Sequence, residues 1–288
     1  MTLGRREMLK VLAAAGLAAK AGDAVATEKK AAPALFVSHG SPMAAVEHDA
    51  YTRALARFGQ AHQELRAIVV MSAHWQTKGG LLVTSSAQPE TIHDFGGFPP
   101  ELYRLRYPSP GDPALAQEVA QRLESAGFAV ELDPARGLDH GAWVPLTHTH
   151  PAAKVPVIQV SEPWPRTPAD LLQMGLALGP LRRQGVLVIG SGGVVHNLGE
   201  IDFDEHAPVA PWAAAFDGWV KERLDQFDVE GLARYATEAP DARRAHPTTE
   251  HFDPIFFALG ATLEGDRLDE LYQGIAYGSL GLRTFSLG

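Results

Sequence analysis

A chain of 288 residues with 45% hydrophobic and 20% charged side chains carries enough apolar surface to bury a large core. Its formal charge of -9 argues against nucleic acid as the partner, because polyanion binders carry basic stripes. With no cysteine there are no disulfides, thiolate nucleophiles or Cys-built metal sites, so any metal must be held by His, Asp or Glu.

The chain opens with "LGRREMLKVLAAAGLAA", in which Arg5 and Arg6 precede an Ala/Leu stretch too short to span a bilayer. Ala24-Val25-Ala26 follows as a small-x-small cleavage site. This order predicts a twin-arginine-type export signal over residues 1–26, then a short linker at 27–32. Such a leader implies a periplasmic protein, exported already folded, with no stable membrane anchor after cleavage. A basic amphipathic helix on a cytoplasmic protein is the other reading.

From residue 33 short β-branched runs alternate with helical patterns. "PALFVS" (33–38), "RAIVVMSA" (66–73), "GLLVTS" (80–85), "FAVEL" (128–132), "VPVIQVS" (155–161) and "GVLVIGSG" (185–192) read as strands, several apolar throughout and therefore covered on both faces. Between them lie three helical segments, at 49–65, 112–127 and 167–185, which open on Asp49, Asp112 and Thr167-Pro168. The alternation predicts one catalytic α/β domain over 33–288, built on a largely parallel or mixed central sheet with its ligands beyond the strand C-termini.

The histidines fall where such a sheet builds its site. His39 follows "ALFVS", His74 follows "IVVMSA", and His196 follows "VLVIGSGGVV". Any one of them alone reads as a structural core histidine before it reads as a ligand; the signal is that three strand exits agree. His140, in "GLDHGAWVPL", sits in a tight loop beside Gly141, where the backbone can approach a ligand. His251, in "HPTTEHFDPI", reads as first-turn on a helix capped by Thr248 or Thr249. "GSGG" at 190–193 lacks a dinucleotide or P-loop fingerprint, so its glycines are read as letting the chain approach the site.

Taken together and in order, "SHGSP", "SAHW", "IHDFGGFP", "LDHGAWVPL", "GSGGVVHNL" and "HPTTEHFDPI" resemble the 4,5-DOPA extradiol dioxygenase family of LigB-type class III ring-cleaving dioxygenases. The resemblance implies a three-layer α/β/α sandwich. It also implies a non-haem Fe(II), or a bound Zn(II) in some members, and O2-dependent cleavage of a DOPA-like catechol. Carried over position by position, His39, His74 and His251 resemble the metal ligands, His196 a fourth ligand or an acid/base, and His140 a catalytic histidine beside the metal. His93, Asp94 and Phe95 are expected in a lid that meets the substrate. Trp75 is expected to wall the site and orient His74, with Trp143 a further wall.

Those residue types suit the chemistry. The metal must keep positions open for catechol and O2, which limits the protein to about three ligands. A nearby base must take the catechol proton, and histidine does so near neutral pH. A carboxylate from Glu250 is the alternative third ligand, but neighbours on a helix point ~100° apart, which favours His251. His48, His62, His148, His150 and His206 read as surface residues. Two other functions use the same histidines: a zinc hydrolase with Glu250 as base, or a non-catalytic exported metal-binding protein.

Overall fold

The computed structural model describes residues 30–204 and 207–288; the expected export signal and His206 lie outside the described residues. Ten strands form in chain order: β1 (Ala34–Ser38), β2 (Ala67–Lys78), β3 (Leu81–Thr84), β4 (Val130–Asp133), β5 (Val157–Trp164), β6 (Val186–Gly192), β7 (Leu268–Tyr272), β8 (Ile275–Ala276), β9 (Leu280–Gly281) and β10 (Thr284–Leu287). Eight of them make one sheet in the order β4-β3-β5-β2-β6-β1-β10-β7. The four central strands β5, β2, β6 and β1 run parallel, and they are the apolar runs, which need cover on both faces. The sheet is mixed because β3 meets β5, and β10 meets β1 and β7, antiparallel.

The helices are α1 (Ala50–Ala61), α2 (Pro113–Ser125), α3 (His140–Thr149), α4 (Pro168–Leu178), α5 (Pro211–Asp225), α6 (Val229–Ala233), α7 (Tyr235–Glu238), α8 (Ala242–Ala245) and α9 (Pro254–Gly260). Asp49, Asp112 and Thr167 cap α1, α2 and α4 through their side chains, and Pro113 and Pro168 fill first-turn positions where no amide is needed. One core joins the sheet to α2, α4, α5 and α9, and a second joins its other face to α1 and α3. Helices on both faces of the sheet give the three-layer α/β/α sandwich. Among the described residues no helix is long and apolar enough to cross a membrane.

Parallel register makes the strand ends level. Ser38 of β1 pairs with Gly192 of β6, and Ser72 of β2 with Ser191, so the chain leaves or bows from the sheet at one edge. Two expectations need correction there. His74 does not follow β2 but lies inside it: the strand continues to Lys78, and its register with β5 breaks between Met71 and Gln76, bowing His74 away from the ladder. His251 is not in a helix; it sits in a turn, with the Phe252 and Asp253 amides donating to the Thr249 carbonyl, ahead of α9.

Candidate metal centre and active-site cavity

Three imidazoles meet at the level strand ends. His74 Nε2 stands 3.0 Å from His39 Nε2 and 3.3 Å from His251 Nε2. Two of the rings, His39 and His251, are turned by a partner on their far side. The Ser191 hydroxyl donates to the Gly141 carbonyl (2.5 Å), so toward His39 it can only accept, from Nδ1 at 2.9 Å. Glu250 Oε1 accepts from His251 Nδ1 (3.2 Å) and from the Thr248 hydroxyl (2.8 Å). Both rings thus carry their proton on Nδ1 and present a bare Nε2 lone pair to the centre.

Three ring nitrogens converging this closely could hold a cation among them. Burial, reinforced by the neighbouring histidines, holds His39 and His251 well below the ordinary histidine range. Burial and His140 bring His74 down to about 4. Protons are therefore poor occupants, and neutral imidazole is the form that ligates metals. The spacing agrees: nitrogens each ~2.1 Å from one ion and ~90–110° apart would be roughly 3.0–3.4 Å from each other. These three residues fit a divalent metal and leave further positions open.

Beside the trio, Asp94 and His140 form a second unit. Asp94 Oδ1 accepts from the His140 amide (2.9 Å), and Oδ2 stands 3.0 Å from His140 Nδ1 and 3.7 Å from His74 Nδ1. Burial alone would raise the Asp94 carboxyl, but its contacts with His140 win and hold it at about 2. His140 is the first residue of α3, not a loop residue, and its place is set by buried Asp139. That carboxylate accepts from Ser72 Oγ (2.7 Å), Gln159 Nε2 (2.8 Å) and Arg136 (3.2 Å), tying the start of α3 to β2 and β5. His196 stacks flat on His251, with centroids 3.4 Å apart, but is in neither group of convergent ligand atoms among the described residues.

These side chains open onto a cavity of about 450 Å³ lined by His39, His74, Asp94, His140, His196 and His251 together with Phe95 and other apolar residues. Residues 33–279 of the chain match the family described as catalytic LigB subunit of aromatic ring-opening dioxygenase. The chain belongs to the LigB family. It is 40% identical over 89% of its length to an Escherichia coli K12 protein named 4,5-DOPA dioxygenase extradiol, covering 94% of that relative. A Beta vulgaris protein of the same name is 38% identical over 85% of the chain and 94% of its own length. A crystal structure of an uncharacterized protein from Escherichia coli K12 superposes with a TM-score of 0.76 at 34% identity, covering 89% of this chain and all of that one.

Within this LigB-family site, several expected residues fall elsewhere. Trp75 does not line the cavity; it is buried under Arg136, whose guanidinium lies 4.9 Å from the ring centroid. Trp143 and His93 also stand behind the wall. The buried indole of Trp143 donates to the Ile92 carbonyl (2.9 Å), and His93 Nε2 bonds the Leu105 carbonyl (3.1 Å), both packing near Phe95. Glu250 is directed at the far side of His251, which it reaches because the two share a turn. His150, expected on the surface, is buried, with Nε2 on the His62 carbonyl (3.1 Å), and half-buried His148 bonds the Ala44 carbonyl (2.6 Å). Ser191, inside "GSGGVVHNL", and Asp139, inside "LDHGAWVPL", have no sequence signal of their own beyond lying in those motifs.

The glycines of "GSGG" do let chains meet. A Cβ on Gly192 would stand 2.0 Å from the His251 carbonyl oxygen, and one on Gly190 2.0 Å from the Pro254 carbonyl oxygen. Gly192→Ala is expected to cost about 1–3 kcal/mol of stability and to weaken metal binding by displacing His251. Gly193→Ala, whose nearest neighbour would be 3.7 Å away, is the control. Thermal melts and metal titration of both variants check this, and equal behaviour would show that the contact is inconsequential.

Proposed function

We propose that this chain is an extradiol dioxygenase that opens the ring of a catechol with O2, with His39, His74 and His251 holding Fe(II), or Zn(II) as an alternative bound ion. The observation that carries this reading is the trio of Nε2 atoms beside the Asp94–His140 pair in one cavity. Bound Fe(II) would supply Lewis acidity toward the catechol oxygens and the redox chemistry that O2 requires.

The protein supplies proton handling and shape. With Nδ1 against the Asp94 carboxylate, His140 has Nε2 as the atom able to take a proton from a catechol hydroxyl, and Asp94 stabilises the imidazolium that results. His196 lines the same cavity, and burial holds its ring at about 4, so it rests neutral beside the trio. It is assigned to proton return. Apolar walls exclude bulk water and strengthen each of these interactions. One catalytic unit over 33–288 behind a twin-arginine leader completes the proposal.

Anaerobic reconstitution with Fe(II), followed by a catechol panel and air, should give O2 uptake and a yellow product. His140→Gln should lower kcat by about 10²–10⁴ with metal content unchanged. Neither O2 uptake nor product at full Fe(II) occupancy would sink the dioxygenase reading, and ester hydrolysis with Zn(II) would favour the hydrolase.

A further inference from the structure

Gln159 is out of keeping with its strand. β5 is one of the four central parallel strands, yet this polar side chain is buried within it, which is costly unless its polar atoms find partners. The partner is Asp139. Gln159 Oε1 accepts from the Asp139 amide (3.0 Å) and Nε2 donates to Asp139 Oδ2 (2.8 Å), an orientation fixed because a backbone N–H can only donate.

The buried Asp139 carboxylate accepts from four donors. Oδ1 takes Ser72 Oγ (2.7 Å) and the Ala142 amide (3.2 Å), and Oδ2 takes Gln159 and Arg136 (3.2 Å). Two of these donors also hold the main chain of His74, which lies between the paired stretches of β2. Ser72 Oγ accepts from the His74 amide (3.3 Å), and Arg136 donates to the His74 carbonyl (3.3 Å). Asp139 is at the same time the N-cap of α3, whose first residue is His140. The two segments touch. A Cβ on Gly141 would lie 2.3 Å from Ser72 Oγ and 3.1 Å from His74 Cδ2, and the His74 and His140 ring centroids stand 3.9 Å apart.

Resting on the reading that His74 ligates the metal and His140 takes the catechol proton, we propose that Asp139 is a positioning residue that sets the spacing between these two histidines, with Gln159 fixing Asp139 in turn. One carboxylate is tied through Ser72 and Arg136 to both main-chain polar groups of His74, and it caps the helix that begins at His140. A shift of that carboxylate moves the metal-side ring and the proton-accepting ring relative to each other, although neither Asp139 nor Gln159 lines the cavity. Misplacing reacting groups by about 1 Å costs on the order of 10²-fold in rate.

The test reverses the hydrogen bond between the two side chains. Asp139→Asn turns one acceptor into a donor facing Gln159 Nε2 and Arg136, and Gln159→Glu alone sets two carboxylates against each other. Each should lower kcat by about 10²-fold, weaken Co(II) binding by about tenfold or more with shifted Co(II) visible bands, and leave the catechol KM within about threefold. Asp139→Asn combined with Gln159→Glu restores a donor facing an acceptor and keeps the charge, so it should recover most of kcat and the Co(II) spectrum. Ser72→Ala removes a single bridge and should lower kcat by about tenfold; it decides the matter if the other single variants do not fold. A double variant that regains the wild-type melting temperature but neither kcat nor the Co(II) bands would make the clamp an element of the fold only and overturn the proposal. Wild-type kcat and Co(II) binding in Asp139→Asn or Ser72→Ala would overturn it too. If the wild type cleaves no catechol while Co(II) affinity and bands follow the expected order, the dioxygenase reading fails and the clamp stands.

Discussion

His74→Ala should lose the metal and, with it, ring cleavage, while the protein remains folded. His74 is the member of the trio in contact with both others, at 3.0 Å from His39 Nε2 and 3.3 Å from His251 Nε2. Removing it leaves two nitrogens and a gap between them. Metal affinity should fall by more than the ~10–100-fold that loss of an outer hydrogen-bond partner costs. Turnover should drop on the order of 10³-fold or more, since several kcal/mol of Lewis-acid stabilisation go with the ion. The fold should tolerate the change because His74 lies half-buried in the bowed stretch of β2, outside the regular ladder. Metal content after dialysis and the melting curve of the metal-free protein check both halves. His196→Ala, by contrast, should keep its metal while slowing turnover. Full metal content in His74→Ala would move His74 from ligand to proton carrier.

What the sequence made legible follows from how each residue is satisfied. β1, β2, β5 and β6 read clearly because a strand covered on both faces must be apolar throughout. The capped starts of α1, α2 and α4 were equally plain. β7 and β10 were not anticipated: "LDELY" and "TFSL" are short and mixed in polarity, and they become strands by pairing, β10 beside β1 and β7 beside β10. The histidines were visible because strand exits are fixed by the sheet. Their far-side partners were not, since Ser191 and Glu250 matter only through contacts that folding creates. His150 was misplaced for the same reason: a carbonyl distant in sequence satisfies its ring. Leu198 and Phe203 carried no signal of their own in the sequence, and only the structure puts them, exposed, on the cavity wall.

Arg166→Met should destabilise the fold strongly from outside the metal site. Its guanidinium stands 2.6 Å from Glu162 Oε1 and 2.5 Å from Asp253 Oδ2, and donates to Thr249 Oγ1 at 3.1 Å. The three charged side chains are 0–5% exposed. One cation therefore joins β5 to both ends of the turn that carries His251. Removing it leaves Asp253 without its buried counter-charge and Glu162 without its partner, a loss of about 3–5 kcal/mol and on the order of 10 °C in melting temperature. Metal affinity should fall too, because the 249–253 turn loses its anchor; Arg166→Lys, a point charge without the planar fork, should restore only part of it. One cation cannot neutralise two buried carboxylates, and burial, against the opposing pull of Arg166, raises Glu162 from its ordinary 4.5 to about 9. Glu162 is thus protonated in the fold across a range where the unfolded chain has already released that proton. Its contribution to stability is full below pH 4.5 and is lost as pH rises toward 9, by at most ~1.4 kcal/mol per pH unit. Glu162→Gln keeps a neutral side chain at every pH and should flatten that decline. Melting curves at pH 5, 7 and 9 decide it: a wild-type decline no steeper than that of Glu162→Gln would mean that Glu162 is ionised beside Arg166 throughout.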